Sequence, residues 1–259
     1  MKLVDKCLIV ENSEIQENIF RMKILSPQMC SIARAGQFLH IKCGGNKHAL
    51  LRRPISLSYR LAGEDTLVIV YRVEGQGTQF LSEQKPGVKI DVMGPLGRGF
   101  AVDQEYGRVV LVGGGMGVAP LAELARVYGN KCTALLGYRS EPFLTREIGA
   151  EAGKLLVATE DGSEGHRGFV TDLLPRELSE QTIDLVYCCG PRPMMKRVLD
   201  ICRTHGVRCQ LSLEERMGCG IGACLVCSCA TRDKNGNPGY SRVCVDGPVF
   251  WDDEVMLDG

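Results

Sequence analysis

From the amino terminus to about residue 100, apolar positions come in short runs of strand length, at residues 7–10, 19–25, 38–43, 66–73 and 88–93, separated by turn-forming residues. Runs of this kind predict an all-β region, an antiparallel barrel or sandwich. One helix is predicted within it, over residues 79–83, with the Thr78 hydroxyl as its N-cap. From residue 108 the period changes. Residues 109–112 make a fully apolar strand, followed by glycines and a helical stretch over 120–128. The unit then repeats, with strands at 133–136, 155–159, 183–188 and 209–213 alternating with helical stretches at 145–152, 171–178 and 193–204. This alternation predicts an α/β region built on a five-stranded parallel sheet covered on both faces. After residue 213 the rhythm stops and Cys and Gly dominate. A tail so poor in apolar positions is expected to depend on a metal centre for its order. The chain therefore divides into an all-β domain at 1–101, an α/β domain at 102–213 and a small module at 214–259.

Composition narrows the class. Among 259 residues, 44% are hydrophobic and 24% charged, which is ordinary globular usage. Lys+Arg and Asp+Glu both total 31, so electrostatics supply no argument for nucleic acid as a partner. The first 16 residues alternate charged and apolar positions without an apolar signal core, and no later segment reaches membrane-span length. A cytoplasmic protein with no membrane partner is expected. The departures are Gly at 31 and Cys at 13. An odd number of cysteines, spread from Cys7 to Cys244, is unlike the disulfide framework of a short secreted domain and fits a reducing compartment.

The cysteines carry the strongest chemical signal. Cys219, Cys224 and Cys227 form C-x4-C-x2-C, and Cys244 follows at a distance. This is the ligand spacing of a plant-type 2Fe-2S cluster, with three thiolates on one tight loop and a fourth from elsewhere. Gly218, Gly220 and Gly222 suit a backbone that wraps closely and turns N–H groups toward sulfur. A zinc site remains the alternative, although such sites usually join two cysteine knuckles and only one is present. Cys229 reads as a bystander thiol.

A second signal lies between the first strand of the α/β region and its helix, where Gly113, Gly114, Gly115 and Gly117 precede Pro120. Backbone there can approach a pyrophosphate at the positive end of a helix, and Pro120 in the first helical turn loses no hydrogen bond. The alternative is a tight strand-to-helix corner. The loop departs from the dinucleotide fingerprint, with Pro120 in place of a third small residue and Arg139-Ser140 after the second strand in place of a ribose-binding carboxylate. Arg139 and Ser140 leave NAD and NADP both open. The fourth strand ends in Cys188-Cys189-Gly190-Pro191, at the sheet edge where ligands of open α/β folds lie, so Cys189 either borders the nicotinamide or is a small buried thiol.

In the all-β region Arg53-Pro54-Ile55-Ser56, Val70-Tyr71-Arg72 and Gly75-Gln76-Gly77-Thr78 follow in order, with Pro54 expected at a sheet-edge or turn position. Together with the glycine loop and the C-G-P segment, this order resembles the ferredoxin–NADP reductase superfamily across about residues 1–210. With the cysteine motif included, the whole chain is similar to the electron-transfer subunits of type B dihydroorotate dehydrogenases. The resemblance implies a six-stranded FAD-binding barrel in which Ser56 meets the flavin N5 edge. It implies that Arg53 and the Gly77-Thr78 helix start hold the FAD phosphates, and that Pro54, Ile55 and Val70, Tyr71 and Arg72 line the cofactor, with Tyr71 packing on it. It implies that Gly114, Gly115, Gly117, Pro120 and Cys189 dock NAD.

The same resemblance implies a partner, an FMN-containing catalytic subunit that oxidises dihydroorotate in pyrimidine biosynthesis, joined to this chain in a heterotetramer. Nicotinamide exchanges a hydride, whereas a 2Fe-2S cluster takes one electron, so FAD is expected to divide the pair. No general acid or base is predicted. His40, His48, His166 and His205 sit in no triad or metal spacing and read as surface or packing residues. Two alternatives remain open. One is the diaphorase subunit of a related ferredoxin–NADP oxidoreductase, sulfhydrogenase or sulfite reductase complex, and the other is a zinc-bound interaction module on a disused reductase fold.

Overall fold

The computed structural model describes residues 3–44, 50–103 and 105–257. His48 lies outside the described residues. The chain forms two compact units, one of residues 1–99, 214–228 and 242–248, the other of residues 100–213, 229–241 and 249–259. Residues 214–259 are thus divided between the two.

The first unit holds a closed barrel of β1 (Leu3–Gln16), β2 (Ile19–Leu25), β3 (Phe38–Ile41), β4 (Arg53–Leu61), β5 (Thr66–Arg72) and β6 (Lys89–Leu96), in the order β1-β2-β5-β4-β3-β6. Alternation builds its core: Ile9, Met22, Ile24, Leu39, Ile41, Leu57, Leu67, Ile69 and Val92 are buried together inside it. The sixth strand, β4, is absent from the apolar-run pattern because Arg52, Arg53 and Pro54 interrupt it, and its inward residues Ile55 and Leu57 reveal it only once folded. Pro54 sits opposite His40 of β3, while pairing with β5 begins only at Leu57. Its missing N–H therefore costs the barrel nothing on that side.

Two helices accompany the barrel where one was expected. α1 (Pro27–Ile32) is opened by its proline at the first helical position. α2 spans Gln76–Ser82, three residues earlier than predicted, so Thr78 is not its N-cap. The hydroxyl lies in the first turn and accepts from the N–H groups of Glu74 at 2.9 Å and Gly75 at 3.3 Å. Thr78 still satisfies the helix start, from inside the helix.

In the second unit the five expected strands are β7 (Val109–Gly114), β8 (Cys132–Tyr138), β9 (Lys154–Thr159), β11 (Leu185–Cys189) and β12 (Cys209–Ser212). They are parallel and lie in the order β9-β8-β7-β11-β12, which reverses direction between β7 and β11. Two edges were not predicted. β10 (His166–Arg167) adds beside β9, and β15 (Val249–Trp251) pairs antiparallel with β12. Both are too short for a periodicity signal. α3 (Ala122–Tyr128), α4 (Thr145–Glu151), α5 (Leu174–Glu180) and α6 (Arg192–His205) are the crossover helices. Pro120 precedes α3 rather than opening it, inside a 3-10 turn over Gly115–Leu121.

The tail adds a hairpin of β13 (Ser228–Arg232) and β14 (Pro238–Arg242). β15 takes its order from the β12 edge, reinforced by Arg208, which stacks 5.0 Å over the Trp251 ring and pairs with Asp252 at 2.6 Å. No helix among the described residues is long and apolar enough to cross a membrane.

One surface ion cluster ties β1 to β2. Glu11 meets Arg21 at 2.8 Å and Lys23 at 2.9 Å. Partial burial pushes its carboxyl up, but hydrogen bonds from Lys23, Arg21 and Ser13 outweigh this and hold it at about 2, below its ordinary 4.5. A carboxylate depressed by folding stabilises above its unfolded pKa and loses that stabilisation as pH falls through the folded one. Glu11→Gln is expected to destabilise the chain by about 1 kcal/mol or less at pH 7. Thermal melts of variant and wild type should converge as pH falls from about 4.5 toward about 2; a difference independent of pH would contradict this role.

Candidate functional site

In the first unit, adjacent arginines at the start of β4 are used differently. Arg52 pairs with Asp91 of β6 at 2.8 Å and donates to the carbonyls of His40 and Asp91, both at 3.2 Å. Arg53 donates to the Leu51 carbonyl at 2.7 Å and runs across Gly77 at the start of α2. A β-carbon at Gly77 would stand 2.6 Å from Arg53 Nε, so the glycine is what lets the guanidinium lie over the helix start. The structure thereby brings Arg53, Gly77 and Thr78 together, a cation beside the N–H groups of a helix start, which is the donor set an anionic phosphate needs. Ser56 lies along the same strand, half-buried, and Arg72 is exposed at the end of β5.

Tyr71 is placed differently from the expectation. Its ring is 2% exposed inside the barrel core, stacked on Phe20 at 5.9 Å, and its hydroxyl bonds Asn12 at 3.1 Å. Asn12 in turn donates to the carbonyls of Leu81 and Gln84, each at 2.8 Å, so Tyr71 holds α2 to β1 rather than offering its ring to a ligand. Strand alternation explains this, since Ile69 and Tyr71 share the inward face.

The cysteine loop belongs to the same unit. The N–H groups of Ile221 and Ala223 point at Cys219 Sγ, at 3.4 and 3.3 Å, and the N–H of Cys219 points at Cys224 Sγ at 3.4 Å. Burial raises the Cys219 thiol, but the N–H groups of Ile221, Cys224 and Ala223 and the Cys224 thiol outweigh this and lower it to about 6, so sulfur is poised as thiolate. The Cys219 and Cys224 thiols lie close enough to interact, as do those of Cys227 and Cys244, while no three metal-ligating side chains are drawn into a single group among the described residues. Burial, then the Cys227 thiol, pushes Cys244 up to about 12. The four sulfurs thus stand as two pairs, each of two soft donors, a set that fits a two-iron group. Cys229 is outside the set, its thiol directed to the Ser241 carbonyl at 3.5 Å.

What holds Cys244 near the loop was not visible in the motif. Val243 N–H bonds the Cys227 carbonyl at 3.0 Å, and Arg242 Nη1 bonds the Gly222 carbonyl at 3.1 Å. Asp246 braces that guanidinium at 3.1 Å and accepts from the Arg242 N–H at 2.9 Å. Opposite charges four apart around a cysteine were the available signal. His40, read from the sequence as a surface or packing residue, is a packing residue of this loop. It is fully buried on β3, and a β-carbon at Gly220, where φ is +70°, would lie 2.5 Å from its Nδ1. Burial first, then the charge of Arg52, lowers its pKa to about 4, so the ring is neutral at pH 7. The carbonyls of Arg52 and Cys219 face it, yet neither ring nitrogen reaches a hydrogen bond of normal geometry among the described residues. The remaining described histidines are His166, 3.4 Å from Asp172, and His205, whose ring bonds the Ile201 carbonyl at 2.9 Å.

In the second unit the glycine loop leaves β7 at the point where strand order reverses, next to the end of β11. A β-carbon on Gly117 would fall on the Cys189 carbonyl and 2.7 Å from the Gly190 Cα. The loop Gly113–Gly117 and the Cys189-Gly190-Pro191 turn therefore form one backbone surface, with Gly114 against Met194 and Pro191. This is the crevice at which open α/β sheets take ligands. Pro120 and the Cys189 side chain are buried beneath it, and Arg139 and Ser140 are exposed at the end of β8.

Comparison with known proteins follows this geometry. A family model described as the iron–sulfur cluster binding domain of dihydroorotate dehydrogenase B matches residues 214–256, and one described as an oxidoreductase FAD-binding domain matches residues 2–100. The chain is 43% identical over 261 residues to the dihydroorotate dehydrogenase B (NAD(+)) electron transfer subunit of Geobacillus sp. (strain WCH70), covering 98% of each. It is 41% identical over 267 residues to the protein of the same name from Fusobacterium nucleatum, covering 100% of both. Among solved structures it is similar to an NADH-dependent reduced ferredoxin–NADP oxidoreductase, with TM-score 0.86 and 33% identity, covering 98% of this chain and 91% of that one. The ferredoxin reductase of carbazole 1,9a-dioxygenase shares the fold, with TM-score 0.67 and 18% identity over 80% of this chain and 67% of that one.

The Arg242 brace yields a test. Arg242→Ala removes the bond to Gly222 while leaving all four cysteines. Iron loss to a chelator is expected to run about tenfold faster than in wild type, the usual effect of losing a group that orients ligands. An unchanged rate would show that Arg242 and Asp246 are merely a surface pair.

Proposed function

The chain belongs to the family of electron transfer subunits of NAD(+)-linked dihydroorotate dehydrogenase B, and on that premise we propose which of its residues hold each redox group and what it serves. Arg53, Gly77 and Thr78 hold the FAD phosphates; Pro54, Ile55, Ser56, Val70 and Arg72 line the flavin. Gly114, Gly115, Gly117, Pro120 and Cys189 receive NAD, and Cys219, Cys224, Cys227 and Cys244 ligate a 2Fe-2S cluster. When bound, FAD and the cluster supply the electron chemistry, two-electron exchange with nicotinamide and one-electron exchange with iron.

The residues themselves bind and orient. Arg53 neutralises phosphate charge at a helix start whose N–H groups are already turned outward. Gly117 lets backbone approach a pyrophosphate at the crevice beside Cys189. N–H groups of Cys219, Ile221 and Ala223 stabilise thiolate sulfur, and Arg242 fixes the distance between the loop and the fourth cysteine. The observation that carries this reading is the pairing of Cys219 with Cys224 and of Cys227 with Cys244 inside the unit that also holds the Arg53–Gly77 cradle.

The electron donor we propose is an FMN-containing, dihydroorotate-oxidising subunit, joined to this chain in a cytoplasmic heterotetramer that serves pyrimidine biosynthesis. Ile221, Leu225 and Val226 are 45%, 62% and 55% exposed on the cysteine loop itself, an apolar rim suited to a docked protein. A second reading, in which the chain serves a ferredoxin–NADP oxidoreductase instead, draws on its similarity to that structure. Co-purification separates the two. Orotate formation with NAD+ by the co-purified complex supports the first; activity only with ferredoxin replaces it.

Two variants test the residue assignments. Cys224→Ser is expected to lose most iron and the cluster's absorption while retaining FAD; full iron content would remove Cys224 from the ligand set. Gly117→Ala forces the loop off the Cys189 carbonyl. It is expected to weaken NADH binding about tenfold or more, with FAD and iron unchanged, in line with the roughly 1–3 kcal/mol that overpacking costs. An unaltered NADH affinity would contradict the docking site.

A further inference from the structure

His40 is the residue for which neither the barrel nor the proposed cofactor sites account. Leu39 and Ile41 on either side of it point into the barrel core, so alternation turns His40 to the outer face of β3. There it is 0% exposed, directly beneath the Cys219-Gly220 turn, with the Gly220 backbone against Nδ1. Its cross-strand neighbour is Pro54, and Phe38, two residues earlier, stands opposite Ser56. His40 thus meets the Cys219-Gly220 turn from the strand that pairs with Arg53–Ser56, within one compact unit.

A neutral imidazole carries one N–H donor. Leaving a buried donor without a partner costs about 1–3 kcal/mol, and native structures seldom do so without reason. A packing role alone is met better by Leu or Phe, which bury the same surface with no polar atom. The acceptors that face the ring are the carbonyls of Arg52 and Cys219, and the second of these belongs to the loop that carries the cysteine sulfurs.

We propose that His40 is a positioning residue of the electron path, donating its N–H to the acceptors of the Cys219-Gly220 turn when the iron–sulfur group is bound, and so raising the potential of that group. N–H donation to cluster sulfur or to its ligand loop stabilises the more negative, reduced form. The inference rests on the proposed assignment of the four cysteines to a 2Fe-2S cluster.

The test compares wild type, His40→Leu and His40→Gln as full chains carrying FAD and iron. Redox titration followed by electron paramagnetic resonance reads the cluster, and absorbance reads the flavin. His40→Leu is expected to show an altered cluster signal and a roughly tenfold smaller ratio of reduced to oxidised cluster at a fixed poise, about 59 mV for one electron, with the flavin potential unmoved. His40→Gln, which keeps an N–H, should restore most of the shift. If His40→Leu fails to retain iron but His40→Gln retains it at the wild-type potential, the donor role stands. Identical potentials in all three proteins, or equal damage in both variants, would overturn it. A wild-type chain without a 2Fe-2S signal would instead overturn the assignment of the cysteines.

Discussion

A turn of backbone can lie against a buried imidazole as closely as Gly220 lies against His40 only where no β-carbon intervenes and where φ can be positive; Gly220 meets both conditions. That approach seats the cysteine loop on the outside of the barrel strand that pairs with Arg53–Ser56. Everything proposed for the chain as an electron carrier depends on it, because one-electron exchange requires the redox groups to be held near each other. The loop's own N–H groups then have one direction left to point, toward sulfur, and Cys219 becomes acidic as a result.

The same device recurs at the other end of the chemistry. Gly117 presses backbone onto the Cys189 carbonyl at the switch point of the sheet, joining two loops more than 70 residues apart in sequence into one surface. Charge plays a supporting part. Arg52 is spent on Asp91 and Arg242 on Asp246, each holding strand ends or loops in place, whereas Arg53 lies across Gly77 at the helix start, where we propose that it meets a phosphate. Similar residues thus divide between scaffold and site according to where a carboxylate stands.

Periodicity exposed the elements that repeat. Five barrel strands, the five central strands of the parallel sheet and their crossover helices were legible because each carries several apolar positions at a fixed period. β4 was not, since Arg52, Arg53 and Pro54 at its amino end break the apolar run. β10 and β15 were not, being two and three residues long. The cysteine motif was legible from spacing, because ligand geometry constrains sequence separation on a tight loop. The roles of Arg242 and His40 were not, for their partners lie 20 or more residues away. Tyr71 shows the converse: its motif neighbours suggested a ligand contact, and the inward phase of β5 assigned its ring to the core.

The most direct measurement is an anaerobic titration of the purified full chain with NADH, followed together by visible absorbance and electron paramagnetic resonance, with metal analysis of the same sample. The account predicts about two iron atoms per chain, bleaching of a flavin band and the appearance of the signal of a reduced 2Fe-2S cluster as NADH is consumed. A colourless protein containing zinc, or a flavin that NADH reduces while the iron remains oxidised at every ratio, would contradict it.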